Sequence, residues 1–187
     1  MKNAEKSEQT KELIEQNFME LLEEQPLSEI SVNDIAGKSG VNRNTFYYHF
    51  KNVADLLESV MKGMLDQVIV EHPPAYESLE ECLLSAIKMA KDNEKIVYHV
   101  YNSANRRIFE RCLWRILDHS TSSFIDSFEF EDKTITETER QILKTFFKYE
   151  CFGFVIDWIN NGMSEDVTND VKALVNFILS KNILRHQ

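Results

Sequence analysis

Residues 42–51, NRNTFYYHFK, place four hydrogen-bonding side chains, Arg43, Asn44, Tyr47 and Tyr48, along one side of a short helix. Arginine bonds guanine in a bidentate manner in the major groove, and asparagine does the same for adenine. On the opposite side Phe46 and Phe50 stand at i, i+4, so the helix is pinned inward by two aromatic rings and polar outward. The segment before it must hold it in place. Val32, Ile35 and Ala36 form one face of a preceding short helix, and Ser31 with Asp34 completes a capping pattern at its start. Gly40 can take the left-handed conformation that ends this helix, Val41 is an apolar plug, and Asn42 is the second N-cap. Two short helices joined in this way are a helix-turn-helix, and the second suits the major groove.

The remaining polar groups sort by role. Arg43 and Asn44 are the candidates for base edges, whereas Thr45, Tyr47 and Lys51 are placed as phosphate anchors, which position without specifying. Tyr47 has packing as its alternative, His49 divides between a phosphate contact and a capping or packing role, and Tyr48 between the groove and solvent. Ser31 is a further candidate contact to the duplex.

The formal net charge of −10 runs against a nucleic-acid partner, but affinity depends on local basic groups. Between Gly37 and Lys51 the charged residues are Lys38, Arg43 and Lys51, with no acid among them. The acids lie elsewhere, including Glu12, Glu15, Glu20, Glu23 and Glu24 in the first helix. Three scattered cysteines form no CxxC pair, and the charged start MKNAEKSEQTKE has no apolar core of the kind secretion requires. A cytoplasmic location with reduced thiols is expected, with no membrane span and no cofactor.

Five glycines, three prolines and helical periodicity throughout predict an all-α chain of about nine helices: a three-helix N-terminal domain and a larger C-terminal helical bundle. Helix one runs from about Ser7 to Glu24 and stops at Pro26. Asn52 and Asp55 open a fourth helix that ends near His72-Pro73-Pro74, the best boundary in the chain. Residues 1–52 are therefore read as the helix-turn-helix domain, 53–72 as a connecting helix and 73–187 as the body. In the body, helices are expected near 76–91, 93–102 and 105–128, with Asn93 and Asn105 at cap positions; FEFEDKT is a loop. Thr136-Glu137-Thr138-Glu139 is a capping box opening a long helix to about Asn160, and a last helix starts near Ser164.

From helix one through Leu57 the chain resembles the DNA-binding domain of TetR-type transcriptional regulators. The matching runs are PLSEISVNDIA, SGVNRNTFYYHFKN and DLL, about the first third of the chain, and GFVIDWINNGMSED resembles the end of that family's penultimate helix. The resemblance implies a dimer on double-stranded operator DNA, an effector pocket in the C-terminal body and an interface built from the last two helices. Two positions depart from the pattern. Val53 stands where the family often has a phosphate-binding lysine, and Asn44 where it often has glycine, which points to a different operator sequence.

For the interface, the stripe Val167, Val171, Leu174, Val175 and Ile178 (with Leu179) and the preceding Phe154, Val155 and Trp158 are the expected residues. For an effector, Met89, Tyr98, Tyr101, Trp114, Phe124, Phe147 and Phe152 offer aromatic surface, with ordinary core as the alternative role of each. Arg106 and Arg107 are either an anion site or solvated. HExxH, G-x-S-x-G and zinc-type cysteine spacings are lacking, Gly37-Lys38-Ser39 lacks the upstream glycine of a phosphate loop, and catalysis is not expected. The expected function is a regulator, a repressor released by a small molecule. The alternatives are an activator whose body binds a protein, or a helical ligand-binding or interaction protein without useful DNA affinity.

Overall fold

The computed structural model describes residues 2–71, 79–127, 135–164 and 166–180. Among them are nine α-helices and one 3-10 turn, in agreement with the all-α reading. They are α1 (Lys2–Glu24), α2 (Val32–Lys38), α3 (Arg43–His49), α4 (Val53–Glu71), α5 (Leu79–Asp92), α6 (Glu94–Tyr101), α7 (Arg106–Ser127), α8 (Glu137–Asn160) and α9 (Val167–Ser180). The His72-Pro73-Pro74 boundary and the FEFEDKT loop lie outside the described residues.

Helix starts follow the caps. Ser31 accepts from the Asp34 amide while the Asp34 carboxylate accepts from the Ser31 amide, and Thr136 and Glu139 repeat this reciprocal arrangement at α8. Asn52 accepts from the Asp55 amide at 2.9 Å and so opens α4. One boundary differs from the sequence expectation. Helix α1 begins at Lys2, several residues early, because its charged first turns are good helix formers. Helix α6 begins at Glu94, directly after Asn93, whose carboxamide also donates to the Met89 carbonyl of α5 at 2.9 Å.

The chain divides into two compact units. The first comprises residues 1–67 and 95–112, so α6 and the first turns of α7 belong with the helix-turn-helix. Ile14, Phe18, Leu22, Ile35, Phe46, Leu56 and Val100 are fully or almost fully buried there. Polar contacts tie the unit across its elements. Ser59 of α4 donates to Glu15 of α1 at 2.6 Å, Arg111 of α7 reaches Glu58 of α4 at 3.0 Å, and the His99 ring of α6 meets the Leu22 carbonyl near the end of α1 at 2.5 Å.

The second unit comprises residues 68–94 and 113–187. Within it α7 and α8 run antiparallel, since Trp114 meets Phe152, Asp118 meets Lys148 and Asp126 meets Lys144. The ion pairs are 2.6 Å and 2.8 Å long, and both lysines are largely shielded. Helix α5 packs on α9. The α8–α9 turn uses two left-handed residues, Gly162 (φ 88°) and Met163 (φ 49°), and the Met163 side chain is fully buried. Trp158 donates from its indole to the Ser164 carbonyl at 2.9 Å, which fixes the chain beyond the turn.

Candidate nucleic-acid interface

The reading helix is built as its sequence requires. Gly40 has φ 65°, a conformation that costs glycine nothing, and it turns the chain between α2 and α3. Asn42 then accepts from the Thr45 amide at 2.9 Å and from the Thr45 hydroxyl at 3.2 Å. Phe46 and Phe50 are buried with their ring centres 5.8 Å apart. Arg43, Asn44, Tyr47 and Tyr48 are all exposed, Tyr48 at 78%. A tyrosine left that open contributes little to a core, so its ring and hydroxyl are available to a partner. Arg43 lies at 3.4 Å from the Tyr47 hydroxyl and 5.9 Å from its ring centre, which aligns the two side chains along the helix.

Several predicted contacts are already engaged. Lys38, counted above with the local positive charge, sits 3.0 Å from Glu24 and 3.3 Å from Glu20 of α1. The hydrogen bond it donates to Glu24 holds its pKa above the ordinary lysine value. Lys38 therefore braces α2 on α1, and Arg43 and Lys51 are the exposed cations of the reading surface without a carboxylate partner among the described residues. The Thr45 hydroxyl donates to the cap and has only lone pairs left to offer a phosphate, which needs a donor. Ser31 donates to Asp34 at 2.5 Å in the same way, and that bond holds the Asp34 carboxyl below the usual carboxylate range. The Lys51 amide bonds Asp55 at 2.9 Å, leaving its ammonium exposed; Val53 offers no charge beside it. His49 is half-buried, with its ring edge-on to Tyr48.

The candidate effector residues fall in different units. Tyr98 and Tyr101 lie in the first, where Tyr101 is buried and the Arg106 guanidinium stacks 3.9 Å from its ring centre. Arg106 also bonds Glu110 at 2.7 Å, so it is engaged within its own helix. Met89, Trp114, Phe147 and Phe152 lie in the second unit, where Trp114 contacts Tyr149 and Phe152 edge-on and carries the Lys148 ammonium at 4.6 Å. The side chain of Phe124 lies outside the described residues, as do those of Leu174, Val175 and Ile178. Of the expected interface residues, Val155, Trp158, Val167 and Val171 are buried within the protomer and Phe154 is half-buried.

Three features were not anticipated from the sequence. The His99–Leu22 contact joins residues 77 apart, and its only sequence signal is a lone histidine in an apolar helix. His119 holds a buried Nε2 without a hydrogen-bond partner among the described residues. On α8, Ile142, Phe146 and Tyr149 are exposed at 60%, 55% and 59%, and a shallow depression of about 580 Å³ lies against the first two. Their i, i+4, i+7 spacing was hidden because the apolar residues of α8 are spread around the helix among polar ones rather than gathered on one face.

An all-helical chain that presents a polar recognition helix on a capped, aromatic-pinned helix-turn-helix is a DNA-binding transcriptional regulator. Residues 19–60 match the model of bacterial regulatory proteins of the tetR family, and residues 77–180 match that of a transcriptional regulator C-terminal region. The chain belongs to the tetR family of regulators. An HTH-type transcriptional regulator of Staphylococcus aureus (strain USA300) is 24% identical over 159 residues, 81% of this chain and 84% of its own. Among solved structures, the dihydroxyacetone kinase operon activator DhaS superposes with a TM-score of 0.67 at 18% identity, covering 95% of this chain and 98% of that one. NalD, the secondary repressor of the MexAB-OprM multidrug efflux pump in Pseudomonas aeruginosa, gives 0.56 at 19% identity, covering 93% and 96%. No helix among the described residues is long and apolar enough to cross a membrane.

Proposed function

We propose that the protein represses transcription by occupying a palindromic operator as a dimer, and that a small molecule bound by its second unit releases it. The observation that carries this reading is the outward face of α3, where Arg43, Asn44, Tyr47 and Tyr48 are exposed on a helix whose other side is locked by Phe46 and Phe50. Arg43 and Asn44 read base edges; Tyr47 and Lys51 anchor phosphates. With only Arg43 and Lys51 as unpaired cations on and beside α3 among the described residues, the electrostatic footprint of one reading helix is thin, which favours two heads acting together.

The effector part rests on His119. An unpaired buried imidazole nitrogen costs free energy, and a ligand carrying one hydrogen-bonding group would satisfy it. The aromatics Trp114 of α7 and Phe147 and Phe152 of α8 supply apolar surface in the same unit, on two helices joined beside His119 by the Asp118–Lys148 pair. An effector acts only through unequal affinity for the operator-bound and released forms, and α4 and α7 are the helices that run from one unit into the other.

A second reading, that of an activator, is supported by the likeness to DhaS, an operon activator. Fluorescence anisotropy with duplexes from the region upstream of the protein's own gene tests operator binding. Saturable binding that survives competition by a scrambled duplex is expected. Equal affinity for both duplexes across salt concentrations would overturn the operator reading, and transcription from the same region in a reporter strain then separates repression from activation.

A further inference from the structure

Of all the asparagines in the chain, only Asn161 is followed by glycine. In an Asn-Gly pair the side-chain amide is lost more readily than elsewhere, because glycine sets no Cβ beside its own nitrogen. The chemistry needs nothing but water. The Gly162 nitrogen gives its proton to a base and attacks the carboxamide carbon of Asn161. A C–N bond forms, and the carboxamide nitrogen, reprotonated, leaves as ammonia. Water then opens the five-membered imide at either carbonyl and leaves aspartate or isoaspartate at position 161. One water is consumed, one ammonia is released, and nothing is oxidised. Both residues are exposed, so solvent reaches them.

The folded turn obstructs the reaction at each reacting atom. The Asn161 carboxamide donates to the Asp157 carbonyl and to the Asp157 carboxylate, both at 3.0 Å, which aims it back along α8. The Gly162 amide donates to the Ile159 carbonyl at 3.2 Å, so its proton is engaged. Closing the imide needs the Gly162 nitrogen swung to the side of the Asn161 Cβ. At φ −92° and ψ 18° that nitrogen comes close to eclipsing Asn161's own nitrogen instead. The Asp157 carboxylate also opposes the negative charge that the attacking nitrogen must take up. Beyond the pair, the Met163 amide donates to the Trp158 carbonyl at 2.9 Å, its side chain is fully buried, and the Trp158 indole holds the Ser164 carbonyl.

We propose that Asn161–Gly162 is a modification site, a deamidation switch that the α8–α9 turn holds shut with Asp157 as its latch. Local opening of the turn sets its rate. The product does not fit back. A carboxylate at 161 forms a like-charge pair with Asp157 at i, i+4 and has no N–H to give it. In the isoaspartyl form the main chain runs through the former side chain and is one methylene longer. The register that sets Gly162 and Met163 in left-handed conformations is then lost. Modification therefore releases the start of α9 from the end of α8. The inference stands apart from the operator reading, since the turn lies outside the helix-turn-helix.

Peptide mapping by mass spectrometry follows the reaction in the full chain at mildly alkaline pH, folded and in urea. Asn161 is expected to deamidate at least tenfold more slowly in the folded protein. Asp157→Ala is expected to speed the folded reaction at least threefold, and Asp157→Asn, which keeps an acceptor, to speed it less. Neither should alter the rate in urea. Gly162→Ala, compared in urea alone, is expected to slow the reaction there, which identifies the attacking nitrogen. The modified protein, separated by ion exchange, is expected to melt below the unmodified one. Equal rates folded and in urea, an Asp157→Ala protein as slow as wild type, or a modified protein that melts unchanged would each overturn the proposal. Circular dichroism checks that the variants fold, and Asp157→Asn carries the comparison should Asp157→Ala fail to.

Discussion

Lys38 of α2 is held between two carboxylates of α1, 3.0 Å from Glu24 and 3.3 Å from Glu20. The lysine that precedes the reading helix is thereby turned into a brace for the frame, whereas Lys51, which follows that helix, is exposed and forms no such brace among the described residues. The two lysines should separate in experiment. Lys51→Ala is expected to lower affinity for every duplex alike and to reduce the slope of log K against log salt by about 0.9, the loss of one phosphate contact. Lys38→Ala is expected to leave that slope unchanged and to lower the melting temperature of the head. Titrations from 50 to 200 mM salt, with parallel thermal melts, measure both.

Base reading predicts a different signature. Arg43→Ala and Asn44→Ala each remove a bidentate pair worth about 1–3 kcal/mol of discrimination, and both side chains are free to make one. The expected result is a loss of affinity for the operator with little change for a scrambled duplex. Equal weakening on both duplexes would assign the residue to phosphate positioning.

The Asp34 carboxyl titrates below its ordinary value of 3.8, chiefly through its bond from the Ser31 hydroxyl. A carboxyl with a lower pKa when folded stabilises fully above its unfolded value and ceases to do so as pH falls through the folded value. Loss of the α2 cap is therefore expected only below about pH 4, in the range of ordinary carboxylates. Asp34→Asn, which cannot ionise, should melt lower than wild type at pH 7 and show a smaller further drop between pH 4 and pH 3. Circular dichroism melts across that range check it, and parallel pH profiles for the two proteins would count against the cap.

What the sequence could disclose was local. Ser31–Asp34, Asn42–Thr45 and Thr136–Glu139 are bonds between residues three apart, so their types and spacing were enough to place three helix starts. The outward face of α3 was legible because Phe46 and Phe50 mark the inward one. The pairing of Lys38 with Glu24 was not, since fourteen residues and a turn separate them. The membership of α6 in the first unit depends on pairings such as His99 with Leu22, which no periodicity encodes. Helix α8 defeated the pattern for another reason: its apolar residues are not gathered on one face, so only packing reveals that Val155 and Trp158 face inward and Phe146 outward.

The His99–Leu22 contact leads to the last prediction. The carbonyl lies in the final turn of α1, where backbone acceptors lack helical partners, and at 2.5 Å the imidazole Nδ1 must carry the proton and donate. The ring is part-buried, and its helix also contributes Val100 and Tyr101 to the first unit's core. His99→Phe keeps the bulk but strips the carbonyl of its donor, so a cost of about 1–3 kcal/mol is expected. His99→Asn retains an N–H near the Nδ1 position and should recover most of it. Because α1 supports α2 through Lys38, loosening its end should reach the reading helix as well. His99→Phe is therefore expected to weaken operator binding, with His99→Asn intermediate, although neither residue touches DNA. Urea unfolding and anisotropy titrations on the three proteins test this together. A His99→Phe variant as stable as wild type would show that the bond contributes nothing, and one destabilised without loss of affinity would confine its role to the fold.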